Sequence, residues 1–361
     1  MKYFLLLLMS SLLVTGLQAG STNKPLQFYK ASSPLLRYTG RIDFTDINQP
    51  RLWTAGSYVT AGIKGDSCAF IIGDEHLYNK YRNYIEIIID GKQTYRLQLK
   101  KDVDTIGIHL GDDNNATHQV IICKNTETSI GYMSIGGIMA MDLSSLPAPA
   151  PVRKIEFIGN SITCGTGSDI SEKPCGQGEW YDQHNAWFSY GAITARNLKA
   201  NWHLTSVSGI GLVHSCCDMK VLMPQVFDKI NLAGNSLAWD FSRYQPDVVT
   251  ICLGQNDGQQ DSVLFCNAYE KFINTIRMHY PEAAIICLTS PMADEGLLKM
   301  MRRYLDAIVT GCNDRGDRNV YRYYFGRRYH SGCGDHPSLA EHHEIAQELS
   351  DFISRIKGWP M

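Results

Sequence analysis

Lys154-Ile155-Glu156-Phe157-Ile158-Gly159-Asn160-Ser161-Ile162-Thr163 is a short apolar run that stops at a glycine and turns polar. Bounded in this way, it reads as a buried strand. Similar runs recur at 203–207, 247–253, 283–288 and 320–325, and stretches with helical character separate them at 185–198, 262–278 and 296–309. Strands alternating with helices predict βαβ units around a parallel sheet covered on both faces. Such sheets bind ligands beyond the carboxyl ends of their strands, which is where Ser161 stands.

Upstream of this half, Leu146-Pro147-Ala148-Pro149-Ala150-Pro151 changes the texture of the chain. Alternating prolines remove backbone donors and hold the chain extended, so 147–152 reads as a linker between a domain at 20–146 and one at 153–361. The first of these is strand-like. Runs at 58–60, 69–72, 84–89, 94–97 and 120–123 are rich in β-branched residues, and Asp90-Gly91 between two of them signals a hairpin. With no 3.6-residue period, an all-β, jelly-roll-like sandwich is expected.

Lys2, the apolar run beyond it and Gly16-Leu17-Gln18-Ala19 read as a secretory signal peptide over 1–19, too short in its apolar part to span a bilayer. The expected product is exported, to the periplasm or the medium, with no membrane insertion after cleavage. Lys plus Arg total 34 and Asp plus Glu 36, which leaves no basic stripe for nucleic acid. The 11 cysteines form an odd set, so at least one thiol stays free or pairs between chains. Cys252 and Cys287 fall in apolar runs and read as buried, while Cys164 and Cys175 share one loop-like stretch and are the better candidates for a bridge.

A serine hydroxyl attacks esters only if a base takes its proton and donors face the developing oxyanion. Three later blocks at strand ends could supply these groups: Ser208-Gly209-Ile210-Gly211, Gly254-Gln255-Asn256-Asp257 and Asp335-His336-Pro337-Ser338. Ser338 and Glu341 have capping-box spacing, which starts a helix just after His336. Gly65-Asp66-Ser67 and Gly234-Asn235-Ser236 repeat the serine turn outside that context.

These four blocks, in this order, resemble the Ser, Gly, Asn and His blocks of the SGNH (GDSL-like) hydrolases. Ile158 to Cys164, Phe188-Ser189-Tyr190-Gly191-Ala192 and Ser208 to Leu212, behind a β-sandwich, more closely resemble carbohydrate esterase family 2. The resemblance implies a metal-free, cofactor-free esterase that removes acetyl groups from plant polysaccharides such as xylan or glucomannan. It makes Ser161 the nucleophile and His336 the base. The oxyanion hole would be the Ser161 and Gly209 N–H groups and the Asn256 side chain.

The family pattern places an acid two or three residues before the histidine, where this chain has Gly334 and Cys333. A Ser161–His336 dyad supported by a carbonyl of the 332–334 loop is therefore expected, with Asp335 as the weaker candidate for a third member. Asp257 is left to a turn that caps the following helix. His330, Cys333, His336, His342 and His343 crowd one stretch but match no zinc spacing, so no metal is expected. Trp180 and Tyr181, in a Gly-rich loop, are candidates for lining a sugar site, whereas Trp187, in a helical stretch, reads as packing. The expected partner is an acetylated polysaccharide or oligosaccharide. Rival readings are an esterase for other short acyl or aryl esters, and a carbohydrate-binding protein with a degenerate site.

Overall fold

The computed structural model describes residues 25–113, 115–146 and 149–361. The leader expected at 1–19 lies outside them, as do two residues of the Pro-rich stretch.

The amino-terminal half is antiparallel throughout. Its strands are β1 (Gln27–Lys30), β2 (Leu36–Thr39), β3 (Tyr58–Asp74), β4 (Tyr84–Ile89), β5 (Gln93–Gln98), β6 (Val103–His109), β7 (Thr117–Lys124) and β8 (Met133–Ser144), with two two-residue strands besides. The long strand β3 pairs with β7 over 58–64 and with β6 over 67–73, changing partners around Gly65, whose φ of +121° bends it. Asp90 and Gly91 both take positive φ in the β4–β5 turn, the conformation that their residue types favour. Ile63, Phe70, Ile72, Ile85, Ile122 and Ile138 belong to the core of this half.

The second half is a five-stranded sheet: β9 (Arg153–Gly159), β10 (Ala200–Ser206), β11 (Val248–Cys252), β12 (Ala284–Leu288) and β13 (Val320–Tyr323), in the order β10-β9-β11-β12-β13 and parallel throughout. Its helices of two turns or more are α1 (Tyr190–Asn197), α2 (Ser262–His279), α3 (Glu295–Asp314) and α4 (Leu339–Lys357). Alternate side chains of each strand serve opposite faces. Ile155, Phe157, Ile286 and Leu288 pack with Tyr190, Ile193, Ile345 and Leu349 of α1 and α4, while Ile158, Val249, Ile251 and Ile285 pack with Phe265, Tyr269, Leu305 and Ile308 of α2 and α3.

Three expectations need correction. Helix α1 begins at Tyr190, because the Asn185 side chain donates to Glu86 and Asp169 and holds 185–189 as a loop. Cys175 bonds to Cys333, while Cys164 is a buried free thiol that donates to Ser206 Oγ (3.2 Å). Asp257 does not cap α2, whose N-cap is Asp261. The Asp257 carboxylate instead accepts the N–H groups of Leu212, Val213 and His214.

The two halves are locked together. The Arg41 guanidinium, from the sandwich, meets Glu156 of β9 at 2.7 Å, with both side chains almost wholly out of water. Lys124, the last residue of β7, and Asn125, Thr126, Glu127 and Thr128, which follow it, are also buried and form a polar strap against the α/β half.

Candidate active site

Strand β9 delivers Ser161 to a tight corner. A Cβ on Gly159 would lie 2.0 Å from Thr163 Oγ1, so only glycine lets the chain turn there. The Asn160 side chain accepts the Ile162 N–H and starts a one-turn helix, Ser161–Cys164, closed by Gly165 at φ +76°. Ser161 is thereby held at the carboxyl edge of the sheet, 6% exposed.

His336 arrives from the loop before α4. The Ser338 side chain and Glu341 form the reciprocal cap that starts this helix. His336 Nε2 lies 2.8 Å from Ser161 Oγ, while Nδ1 lies 3.2 Å from the Cys333 carbonyl and 3.0 Å from that of Gly334. A ring whose Nδ1–H donates to a carbonyl presents an unprotonated Nε2 to the serine. Among the described residues the Asp335 carboxylate makes no hydrogen bond to the ring; it contributes only charge. Burial pushes the His336 pKa below the usual histidine value, against the two carbonyls and the Asp335 charge, which favour the cation.

The residues expected to face an oxyanion follow β10 and β11. Gly209 has φ +84°, and no acceptor for its N–H occurs among the described residues. The Asn256 amide is oriented by donating to the Ile210 carbonyl at 2.8 Å, which leaves its second N–H for other use. Ser161, His336, Gly209, Asn256 and Trp180 line one cavity of about 420 Å³.

Trp180 is 45% exposed at the rim of this cavity. Its neighbour Tyr181 is not part of the site: it is 1% exposed, packs with Tyr84 and Ile130, and its hydroxyl accepts the Arg82 N–H. The chain direction alternates between the two, turning one ring outward and the next into the domain junction. Trp187 is a core residue. Ser67 lies in β3 and Ser236 in a short exposed strand, and neither lines the cavity. Of the crowded His and Cys residues, Cys333 is consumed in its disulfide and His342 is buried, its Nδ1 accepting the Tyr190 N–H. Sequence reasoning missed Glu127, Cys216, Cys217 and Met292, which also line the cavity. They sit in loops without periodicity, and only the polar run 124–128 after an apolar strand offered any signal.

Family models match both halves: carbohydrate esterase 2 N-terminal over residues 38–150 and GDSL-like lipase/acylhydrolase over 157–329. A solved family two carbohydrate esterase from Clostridium thermocellum, in complex with cellohexaose, is 33% identical, covers 90% of this chain and 100% of its own, and superposes with a TM-score of 0.82. The chain belongs to carbohydrate esterase family 2. As a family 2 protein it falls among carboxylic ester hydrolases. The cellulase/esterase CelE of Acetivibrio thermocellus is 35% identical over 91% of the chain, which spans 40% of the length of that relative. An acetylxylan esterase / glucomannan deacetylase of Cellvibrio japonicus is 26% identical, with 91% of each chain covered. Among the described residues of this esterase, no helix is long and apolar enough to cross a membrane.

Proposed function

We propose that this family 2 esterase is exported and removes O-acetyl groups from plant cell-wall polysaccharide, xylan or glucomannan, by way of an acetyl-enzyme. The observation that carries the reading is the Ser161 Oγ–His336 Nε2 pair at 2.8 Å inside a cavity with Gly209 and Asn256. Ser161 Oγ attacks the acetyl carbonyl as His336 Nε2 takes its proton. The carbonyl oxygen becomes negative against the Ser161 and Gly209 N–H groups and the Asn256 amide. Collapse breaks the bond to the sugar oxygen, which leaves with the proton from His336. Water, deprotonated by the same imidazole, then attacks the acetyl-enzyme, releasing acetate and restoring Ser161.

No carboxylate meets Nδ1 in this reading, so His336 and Ser161 act as a dyad oriented by the Cys333 and Gly334 carbonyls. Trp180 offers a face for the C–H surface of a sugar ring beside the cleaved ester. The names of the Cellvibrio relatives support the choice of polysaccharide, as does the sugar ligand of the Clostridium one.

The test is acetate release from acetylated xylan, acetylated glucomannan and p-nitrophenyl acetate. Both polysaccharides should be deacetylated, and Ser161→Ala should abolish all three activities while Ser67→Ala and Ser236→Ala stay near wild type. Activity on the aryl ester alone would favour a general short-chain esterase. Polysaccharide binding without any acetate release would make the protein a binding module.

A further inference from the structure

Glu127 belongs to the sandwich but stands in the cavity of the α/β half. It lies at the end of the strap, where Lys124 Nζ donates to the Thr126 and Glu127 carbonyls and Asn125 Oδ1 accepts the Trp187 N–H. The carboxylate is wholly buried. Its Oε2 accepts the Ser208 N–H at 2.8 Å and also the Ser208 hydroxyl. Ser208 Oγ is 2.8 Å from Thr166 Oγ1, which in turn is 2.9 Å from His184 Nε2. Three chain segments thus meet at one carboxylate: the sandwich strap, the loop after the nucleophile and the loop after β10. The other oxygen, Oε1, is buried with no hydrogen-bond partner among the described residues. A buried carboxylate with one bare oxygen costs stability, which calls for a reason other than folding.

Ser208 immediately precedes Gly209. Anchoring the Ser208 N–H and side chain fixes the peptide that joins the two residues, and that peptide carries the Gly209 N–H. Resting on the dyad reading above, we infer that Glu127 is a positioning residue for the hydrolytic site, through which the sandwich domain sets the oxyanion-binding Gly209 peptide. The sandwich is then part of the catalytic unit. The Glu127 carboxylate also adds to the influences that favour the protonated state of His336.

Hydrogen bonds that matter only once the oxyanion forms change kcat and leave KM alone. The experiment measures both constants with p-nitrophenyl acetate for Glu127→Ala, Glu127→Gln and Ser208→Ala, with Ser161→Ala and circular dichroism alongside. Glu127→Ala should lose about tenfold or more in kcat with KM within about twofold of wild type. Glu127→Gln, which keeps an oxygen acceptor for Ser208, should recover part of that loss, and Ser208→Ala should fall between it and wild type. A folded Glu127→Ala with wild-type kcat overturns the inference, as does a raised KM at unchanged kcat, which would mark a substrate contact. If Glu127→Ala does not fold, wild-type kcat in both Glu127→Gln and Ser208→Ala overturns it. An active Ser161→Ala would instead sink the dyad reading itself.

Discussion

In the proposed reaction His336 is the base, and its strength is set by opposing influences. Burial disfavours its cation, and the Cys333 and Gly334 carbonyls with the Asp335 charge favour it, with burial prevailing. The ring must be neutral to take the Ser161 proton, so activity is lost as pH falls through its pKa. Because that pKa is lowered, the acid limb of kcat/KM should lie below the ordinary value of about 6.5. Asp335→Ala should move the limb lower still, since it removes a charge that favours the cation, and should cost far less rate than Ser161→Ala or His336→Ala. A limb above the ordinary value, or an Asp335→Ala loss as large as that of His336→Ala, would mean that Asp335 completes a triad. That Ser161, Gly209, Asn256 and His336 would meet was legible in the chain itself, because the first three follow strand ends and His336 directly precedes the capping box of α4. What composition could not separate was Trp180 from Tyr181: two adjacent aromatics look alike until the backbone turns one to the cavity and the other to the Tyr84 cluster.

At the scale of elements, the loop before α4 has little structure of its own and is held from outside. Cys333 is bonded to Cys175, and its N–H donates to the Gly167 carbonyl at 2.8 Å. A Cβ on Gly167 would fall 2.4 Å from the Cys333 carbonyl, one of the two that orient His336, and the φ of Gly167 is +69°. Gly167→Ala should therefore displace the imidazole and lower kcat by about 10²-fold, the cost of a misplacement on the order of 1 Å. The far-ultraviolet circular dichroism should be unchanged. A near-normal kcat would mean that the loop does not depend on this contact. Strands were legible here as short apolar or β-branched runs bounded by glycines and turns, and the long helices as the helical stretches that separate them. The start of α1 and the partner of Cys175 were not, because each depends on chain segments brought together only by the fold.

Across the whole molecule, the change of texture at the prolines marks two halves, and nothing in local pattern reveals how firmly they are joined. Arg41 gives no sequence signal, yet it is 1% exposed and donates to Glu156 of β9 and to the Phe227 and Lys229 carbonyls. Glu156 is further bonded to the Thr205 and Tyr280 hydroxyls, so its carboxylate sits in a complete shell with one cation. Removing one member of a buried ion pair leaves the other without compensation, at about 3–5 kcal/mol. Arg41→Met fills similar volume but removes the cation together with its hydrogen bonds to Glu156 and to the Phe227 and Lys229 carbonyls, so it should destabilise the protein by at least that amount in urea unfolding. Glu156→Gln in the same background should restore part of the loss, since the uncompensated charge is then gone. Both halves should also unfold in one transition in the wild type, because the strap and this pair tie their cores together. Two separate transitions in the wild type, or an Arg41→Met variant as stable as the parent, would mean that the sandwich and the α/β half are independent bodies.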